Sequence, residues 1–245
     1  MCTVTYLPTG SSIIITSNRD EKKVRSIAQP PAFYNNGKYK LYYPKDEVSQ
    51  GTWFISNQKG YVGVLLNGAG ILHESKPPYK LSRGTILPII FQSDHPLQAL
   101  QRLELTGIEN CTIILFVQQK LYQCRWDGSN LEQIELDKNI PHVWSSITLY
   151  EMAMIEERHA WFFEWLNERN YYSQQDIINF HSTAGKGNNE YGLLMNRNNE
   201  LCTVSITSIE VASPVSIMQY FDKQTNEVCT LEIPFQVNKQ TLIQS

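Results

Sequence analysis

Strand-forming runs crowd both ends of this chain and helix-forming runs occupy its middle, an order that constrains the fold more than any other feature. Near the start, Thr3-Val4-Thr5-Tyr6 is β-branched and aromatic, Pro8-Thr9-Gly10-Ser11 is a turn cluster, and Ile13-Ile14-Ile15-Thr16 is a second strand-like run. The pair reads as a β-hairpin. Pairing Leu7 with Ser12 sets Cys2 opposite Ser17 and leaves Arg19-Asp20 overhanging a solvent-facing strand end beside Cys2. A second hairpin runs from Thr52–Ser56 through Asn57-Gln58-Lys59-Gly60 to Tyr61–Leu66, and a third joins Cys111–Val117 to Leu121–Trp126, with a short strand near Leu131–Leu136 after it. The C-terminal third supplies Tyr191–Met195, Leu201–Val211, Val215–Phe221 and Val228–Phe235.

Between these lie the helical patterns. Ser93-Asp94-His95-Pro96 caps a helix reaching Glu104, and Glu151 to Arg169 is the main helix, with Ile155, His159, Phe162, Phe163 and Leu166 at helical spacing. Ser173-Gln174-Gln175-Asp176 has the form of a capping box for a helix ending at His181. Gln29 to Pro44, rich in Pro, Asn, Gly and Tyr, reads as a loop that either borders a pocket or crosses the surface. Hairpins at both ends with helices between them predict an α+β fold of two antiparallel sheets packed together, with helices on the outer faces. At 245 residues and 42% hydrophobic, the chain is long enough to bury a sizeable core, and residues 1–245 are expected to form one domain.

Charge and cysteine usage narrow the partners. A net charge of −3 with scattered Lys and Arg argues against nucleic acid and anionic membrane surfaces. No apolar run approaches the roughly 20 residues of a membrane span, and no secretory leader opens the chain, so a soluble, cytoplasmic protein is expected. The five cysteines are odd in number and form no C-x-x-C pair, which fits a reducing compartment. Cys111, Cys124, Cys202 and Cys229 sit in apolar or alternating runs, as small buried hydrophobes do. The five histidines, at 73, 95, 142, 159 and 181, lack the close spacing of a zinc site, so no metal and no cofactor is expected. His159 reads as a core or rim residue, and the expected partner is a small molecule.

Cys2 carries the chemical argument. Met is normally trimmed before a residue as small as Cys, which leaves a thiol and a free α-amine on one residue. The amine titrates near ~7.7–8.0 and the thiol near ~8.5, so the amine can take the thiol proton without a separate histidine. A neighbouring Arg19 would favour thiolate, and the carboxylate of Asp20 could hold the α-amine. The other reading of the same residues is an ordinary near-terminal cysteine beside a solvated strand end. Asn67-Gly68-Ala69-Gly70 follows a buried strand and offers either an amide donor for an oxyanion or a plain Asn-Gly turn. Thr203, Ser205 and Thr207 alternate along a strand and so share one sheet face, either as a polar pocket floor or as ordinary outward hydroxyls.

Met1-Cys2 at the start, Ser17-Asn18-Arg19-Asp20-Glu21 after one hairpin and Gly51-Thr52-Trp53 some thirty residues later resemble the NRDE family, also called the transport-and-Golgi-organisation protein 2 family. Ser82-Arg83-Gly84, Trp144 to Tyr150 and Thr203-Val204-Ser205-x-Thr207 are similar to further signatures of it. That family in turn resembles the choloylglycine hydrolase and penicillin V acylase branch of the N-terminal-nucleophile hydrolases. The resemblance implies the αββα four-layer fold, with Cys2, Arg19, Asp20 and Asn67 as catalytic residues and Asn18, Thr203, Ser205 and Thr207 lining the site. The implied reaction is cleavage of a non-peptide C–N bond, a linear amide of a small or acyl-chain substrate. Choloylglycine-type sites also use a second Asn and a later strand Arg, and the strand Tyr220-Phe221-Asp222-Lys223 offers no Arg. The resemblance equally implies an alternative, a non-catalytic carrier of haem, lipid or acyl-CoA, in which Cys2 or His73 would touch a haem iron.

Overall fold

The computed structural model describes residues 3–25, 28–36 and 39–236, so that Met1 and Cys2 lie outside the described residues. Strands β1 (Thr3–Pro8) and β2 (Ile13–Lys22) form the first hairpin, closed by the Thr9 N–H donating to the Ser12 carbonyl at 2.9 Å. The turn takes up Thr9–Ser12 whole, so Leu7 pairs with Ile14 rather than Ser12, two residues on from the expected register. A shift of two keeps every side chain on its face. It also runs β2 past the expected strand end, and Arg19 and Asp20 are therefore buried inside it, 4% and 2% exposed, where the sequence had suggested a solvent-facing overhang.

Strands β3 (Gln29–Asn36) and β4 (Tyr39–Lys45) come next, antiparallel, where a loop was expected. The prolines that argued against a strand sit where the register of β3 slips, between Gln29 and Ala32, and β3 is a sheet edge, the place where a missing N–H is tolerated. The chain continues through β5 (Phe54–Asn57), β6 (Val62–Asn67), a 3-10 turn at Arg83–Thr85, α1 (Ile86–Ile90) and α2 (Pro96–Arg102). Helix α2 is shorter than the pattern to Glu104, and Ser93 serves it only by accepting the His95 N–H. Then follow β7 (Cys111–Val117), β8 (Lys120–Trp126), β9 (Leu131–Leu136), β10 (His142–Ser145), α3 (Met152–Asn167) and α4 (Gln174–Thr183), the last with the expected Ser173/Asp176 capping box. The C-terminal strands are β11 (Asn196–Arg197), β12 (Leu201–Val211), β13 (Val215–Asp222) and β14 (Val228–Pro234).

Residues 191–195 are not a strand, contrary to their pattern. Three of their carbonyls go to side chains instead: Leu193 accepts from Asn18 and Thr203, and Tyr191 and Gly192 accept from Arg158.

One sheet runs β10-β1-β2-β12-β13-β14, with β11 on β12, and the other runs β3-β4-β5-β6-β7-β8-β9. Val4, Tyr6 and Ile15 of the first sheet meet Phe54, Val64 and Ile114 of the second in an apolar layer between them. On the outer face of the second sheet, Ile55, Leu65 and Ile113 pack on Ile86, Leu87 and Leu100 of α1 and α2. On the outer face of the first, Leu7 and Ile14 pack on Phe162 of α3 and Ile177 and Phe180 of α4. The four layers are helix, sheet, sheet, helix, as the order of elements predicts. No helix among the described residues is long and apolar enough to cross a membrane.

Candidate active site

Neighbouring residues of a strand point to opposite faces, and β2 therefore separates Arg19 from Asp20. Arg19 faces the space between the sheets. Its guanidinium donates to Asp46 Oδ2 at 2.6 Å and lies 4.5 Å from the centre of the Trp53 ring. Arg25 donates to the other oxygen of Asp46 at 3.2 Å and lies 3.2 Å from Glu21. Burial opposes ionisation of Asp46, but the Ser49 N–H and the Arg25 and Arg19 guanidiniums together hold its carboxyl below the usual range. Two cations face two anions, so Arg19 is a fixed, stacked and largely neutralised charge rather than a free one.

Asn67 opens on the same cleft as Arg19, a cavity of about 100 Å³ walled by Trp53 and by Ser82 to Gly84. Its carbonyl accepts from Ser146 Oγ at 2.9 Å, which fixes the backbone, while no hydrogen bond ties its half-buried side-chain amide to the described residues. That leaves an amide free to donate beside the cleft, as an oxyanion site requires.

The wall of this cleft gives Gly51-Thr52-Trp53 and Ser82-Arg83-Gly84 a shared role. The Thr52 N–H donates to the Gly84 carbonyl at 2.8 Å, Ser82 Oγ accepts the Gly84 N–H at 3.3 Å, and Arg83 is anchored 3.0 Å from Glu109. A Cβ on Gly51 would lie 2.4 Å from the Gly84 carbonyl carbon. Gly51→Ala should therefore push two backbones apart and cost roughly 2–3 kcal/mol, read as a lower denaturant midpoint. An unchanged midpoint would mean that the contact is slack.

Asp20 faces the helix layer. Tyr150 Oη donates to its Oδ2 and Thr203 Oγ1 to its Oδ1, each at 2.6 Å. Thr203 was expected to share a face with Ser205 and Thr207. It does not, because a bulge between Thr203 and Ser205 resets the alternation: Thr203 pairs with Asp20, Ser205 with Arg19 and Thr207 with Ser17. The three hydroxyls are buried on two faces and form no common floor. Asn18 is 1% exposed and serves as a tie between layers, donating to the carbonyls of His181 and Leu193 while His181 Nδ1 bonds its Oδ1.

The sequence reading missed Arg158. It is 1% exposed on α3, donates to Thr3 Oγ1 at 2.7 Å and to the carbonyls of Tyr191 and Gly192 at 2.7 and 2.9 Å, and lies 3.6 Å from the Tyr150 ring centre. Through Thr3 and Tyr150 it joins the start of β1 to Asp20. The available signal was its position three residues after Ile155 and four before Phe162, on the apolar stripe of the helix. His73, offered by the sequence as a haem ligand, lies 3.7 Å from Glu109. Cys111 and Cys124 are fully buried, and burial pushes both thiols up to about 12.

Residues 1–181 match the family Transport and Golgi organisation 2. No curated protein matches the chain by sequence. Among solved structures, the chain is similar to the C2A mutant of conjugated bile acid hydrolase from Clostridium perfringens, with 10% identity, a TM-score of 0.60 and 98% of each chain covered. It is also similar to the Caenorhabditis elegans ortholog of N-acylethanolamine-hydrolyzing acid amidase, with 15% identity, a TM-score of 0.58, and 85% of this chain and 92% of that one covered. At such identities the likeness concerns the fold, that of the N-terminal-nucleophile hydrolases.

Proposed function

We propose that this chain, which belongs to the Transport and Golgi organisation 2 family, is an N-terminal-cysteine hydrolase of a linear, non-peptide amide with a small or acyl-chain substituent. The observation that carries the reading is the pairing of Arg19 and the untied amide of Asn67 on one cleft, in a fold whose solved neighbours include hydrolases of amides. With Met1 removed, the Cys2 thiol gives its proton to its own α-amine and attacks the amide carbonyl. Asn67 and a backbone N–H hold the oxyanion. Collapse expels the amine, which takes the proton back from the α-ammonium, and water then cleaves the thioester to release the acid. Asp20, held by Tyr150 and Thr203, orients the α-amine, and Arg19, held by Asp46 and Trp53, shapes the cleft. The described cysteines are all unpaired, which suits a cytoplasmic enzyme.

Cys2→Ala should lower turnover of a panel of N-acyl amides by more than about a thousandfold. Intact mass of the protein from its native cell should show a species one methionine lighter, and alkylation at neutral pH should reach Cys2 while sparing Cys111 and Cys124. Full retention of Met1, or unchanged turnover in the Cys2→Ala protein, would leave the reading without a nucleophile.

A further inference from the structure

A second cavity, of about 170 Å³, opens at the free edge of β10, between the two sheets and α3. Around it three buried polar atoms have no hydrogen-bond partner among the described residues: Arg125 Nε from β8, Ser145 Oγ from β10 and His159 Nε2 from α3. Orphaned buried polar atoms cost stability unless something arrives to meet them. No carboxylate lines the cavity, and Arg125 meets Glu132 only through Nη1, at 3.9 Å. A guanidinium, a hydroxyl and an imidazole bordering one cavity that no acid lines form a site for an anion. Asn67 lines this cavity as well as the Arg19 cleft, so the two spaces meet at the proposed oxyanion donor.

The cavity also continues outward. Gly70, Ile147 and Met152 border both it and an apolar groove in which Ile71, Leu72 and Met152 are 78%, 70% and 58% exposed. Three large apolar side chains left bare beside that cavity mark a place for an apolar chain.

We propose that this pocket and groove select the substrate: an amphiphilic amide whose carboxylate is bound by Arg125, Ser145 and His159 and whose apolar chain lies along Ile71, Leu72 and Met152. The proposal rests on the hydrolase reading for its substrate, but its binding part can be tested without turnover. Two probes share one acyl chain and one amide and differ in a single group, N-dodecanoylglycine with a carboxylate and N-dodecanoylethanolamine with a hydroxymethyl.

Titrated by calorimetry into the Cys2→Ala protein, the acylglycine should bind at least about tenfold more tightly, as a hydrogen-bonded charge does over a neutral group. Arg125→Gln should bring the two to parity, and Ser145→Ala should narrow the gap. Equal affinities, a preference that survives Arg125→Gln with native circular dichroism, or no binding of either probe would overturn the proposal. The unsubstituted protein separates the two ideas. Equal kcat/KM on both amides would keep the hydrolase and sink the anion site, whereas selective binding of the acylglycine without turnover would keep the anion site and sink the hydrolase.

Discussion

Replacing Arg158 with alanine is expected to remove about 3–5 kcal/mol of folding stability and to lower the melting temperature by roughly 10 °C or more. The side chain is 1% exposed, and three acceptors depend on it: the buried Thr3 hydroxyl and Gly192 carbonyl and the part-buried carbonyl of Tyr191. Each loses a charged donor, and the two buried ones lose it where water cannot replace it, at roughly 1–3 kcal/mol apiece, and the guanidinium's contact with the Tyr150 ring goes as well. Arg158→Met separates packing from hydrogen bonding, because it refills most of the space and supplies no donor. It should recover only the packing share. Turnover should suffer beyond what stability explains, since Thr3 adjoins the proposed nucleophile in the chain and Tyr150 holds Asp20. Denaturant unfolding of both variants checks the first part. An alanine variant within about 1 kcal/mol of the parent protein would show that the network is not needed for folding.

Arg158 also shows where the sequence stops being legible. An arginine among helical apolar residues reads as a solvated side chain until a partner is known, and its partners lie at Thr3 and at residues 191–192, far away in the chain. The helix itself was plain from Ile155 and Phe162, although Phe163, placed on the same buried face, is 47% exposed. The hairpins were legible because β-branched runs flank turn residues, but the register of the first depended on how many residues the turn closed at Thr9–Ser12. The bulge beside Val204 leaves no mark in an alternating run, so three hydroxyls that look coplanar are divided between two faces. Arg19 and Asp20 were visible as a charged pair. What the pattern could not show is that a strand running through both sends one to Asp46 and the other to Tyr150.

Stability should fall steadily as pH drops below about 6.5, and His181 should be the main cause. Its ring is fully buried between Asn18, which bonds Nδ1, and Thr5, whose Oγ1 lies 2.8 Å from Nε2. Burial first, and the Arg158 charge second, push its pKa down to about 3. The unfolded chain binds a proton near ~6.5 that the folded ring refuses until about 3, so the unfolded state holds more protons between those values and acid favours it. The stability present above ~6.5 is lost as pH falls toward the folded pKa, with a slope of up to about 1.4 kcal/mol per pH unit from this one group.

His159, also lowered by burial and by Arg158, adds to the same window. The carboxylates held below their usual range, Asp46, Glu104, Asp127, Glu135 and Asp176, act at lower pH, which leaves the span above ~4.5 mainly to the two histidines among the described residues. Urea midpoints between pH 7 and ~4.5 should therefore decline for the parent protein. The decline should shrink most in His181→Gln and less in His159→Gln. The folded protein supplies an independent reading, because its His181 ring resonances should not titrate above pH ~4. A normal titration near ~6.5 would place that ring in water and undo the link between α4 and the first hairpin.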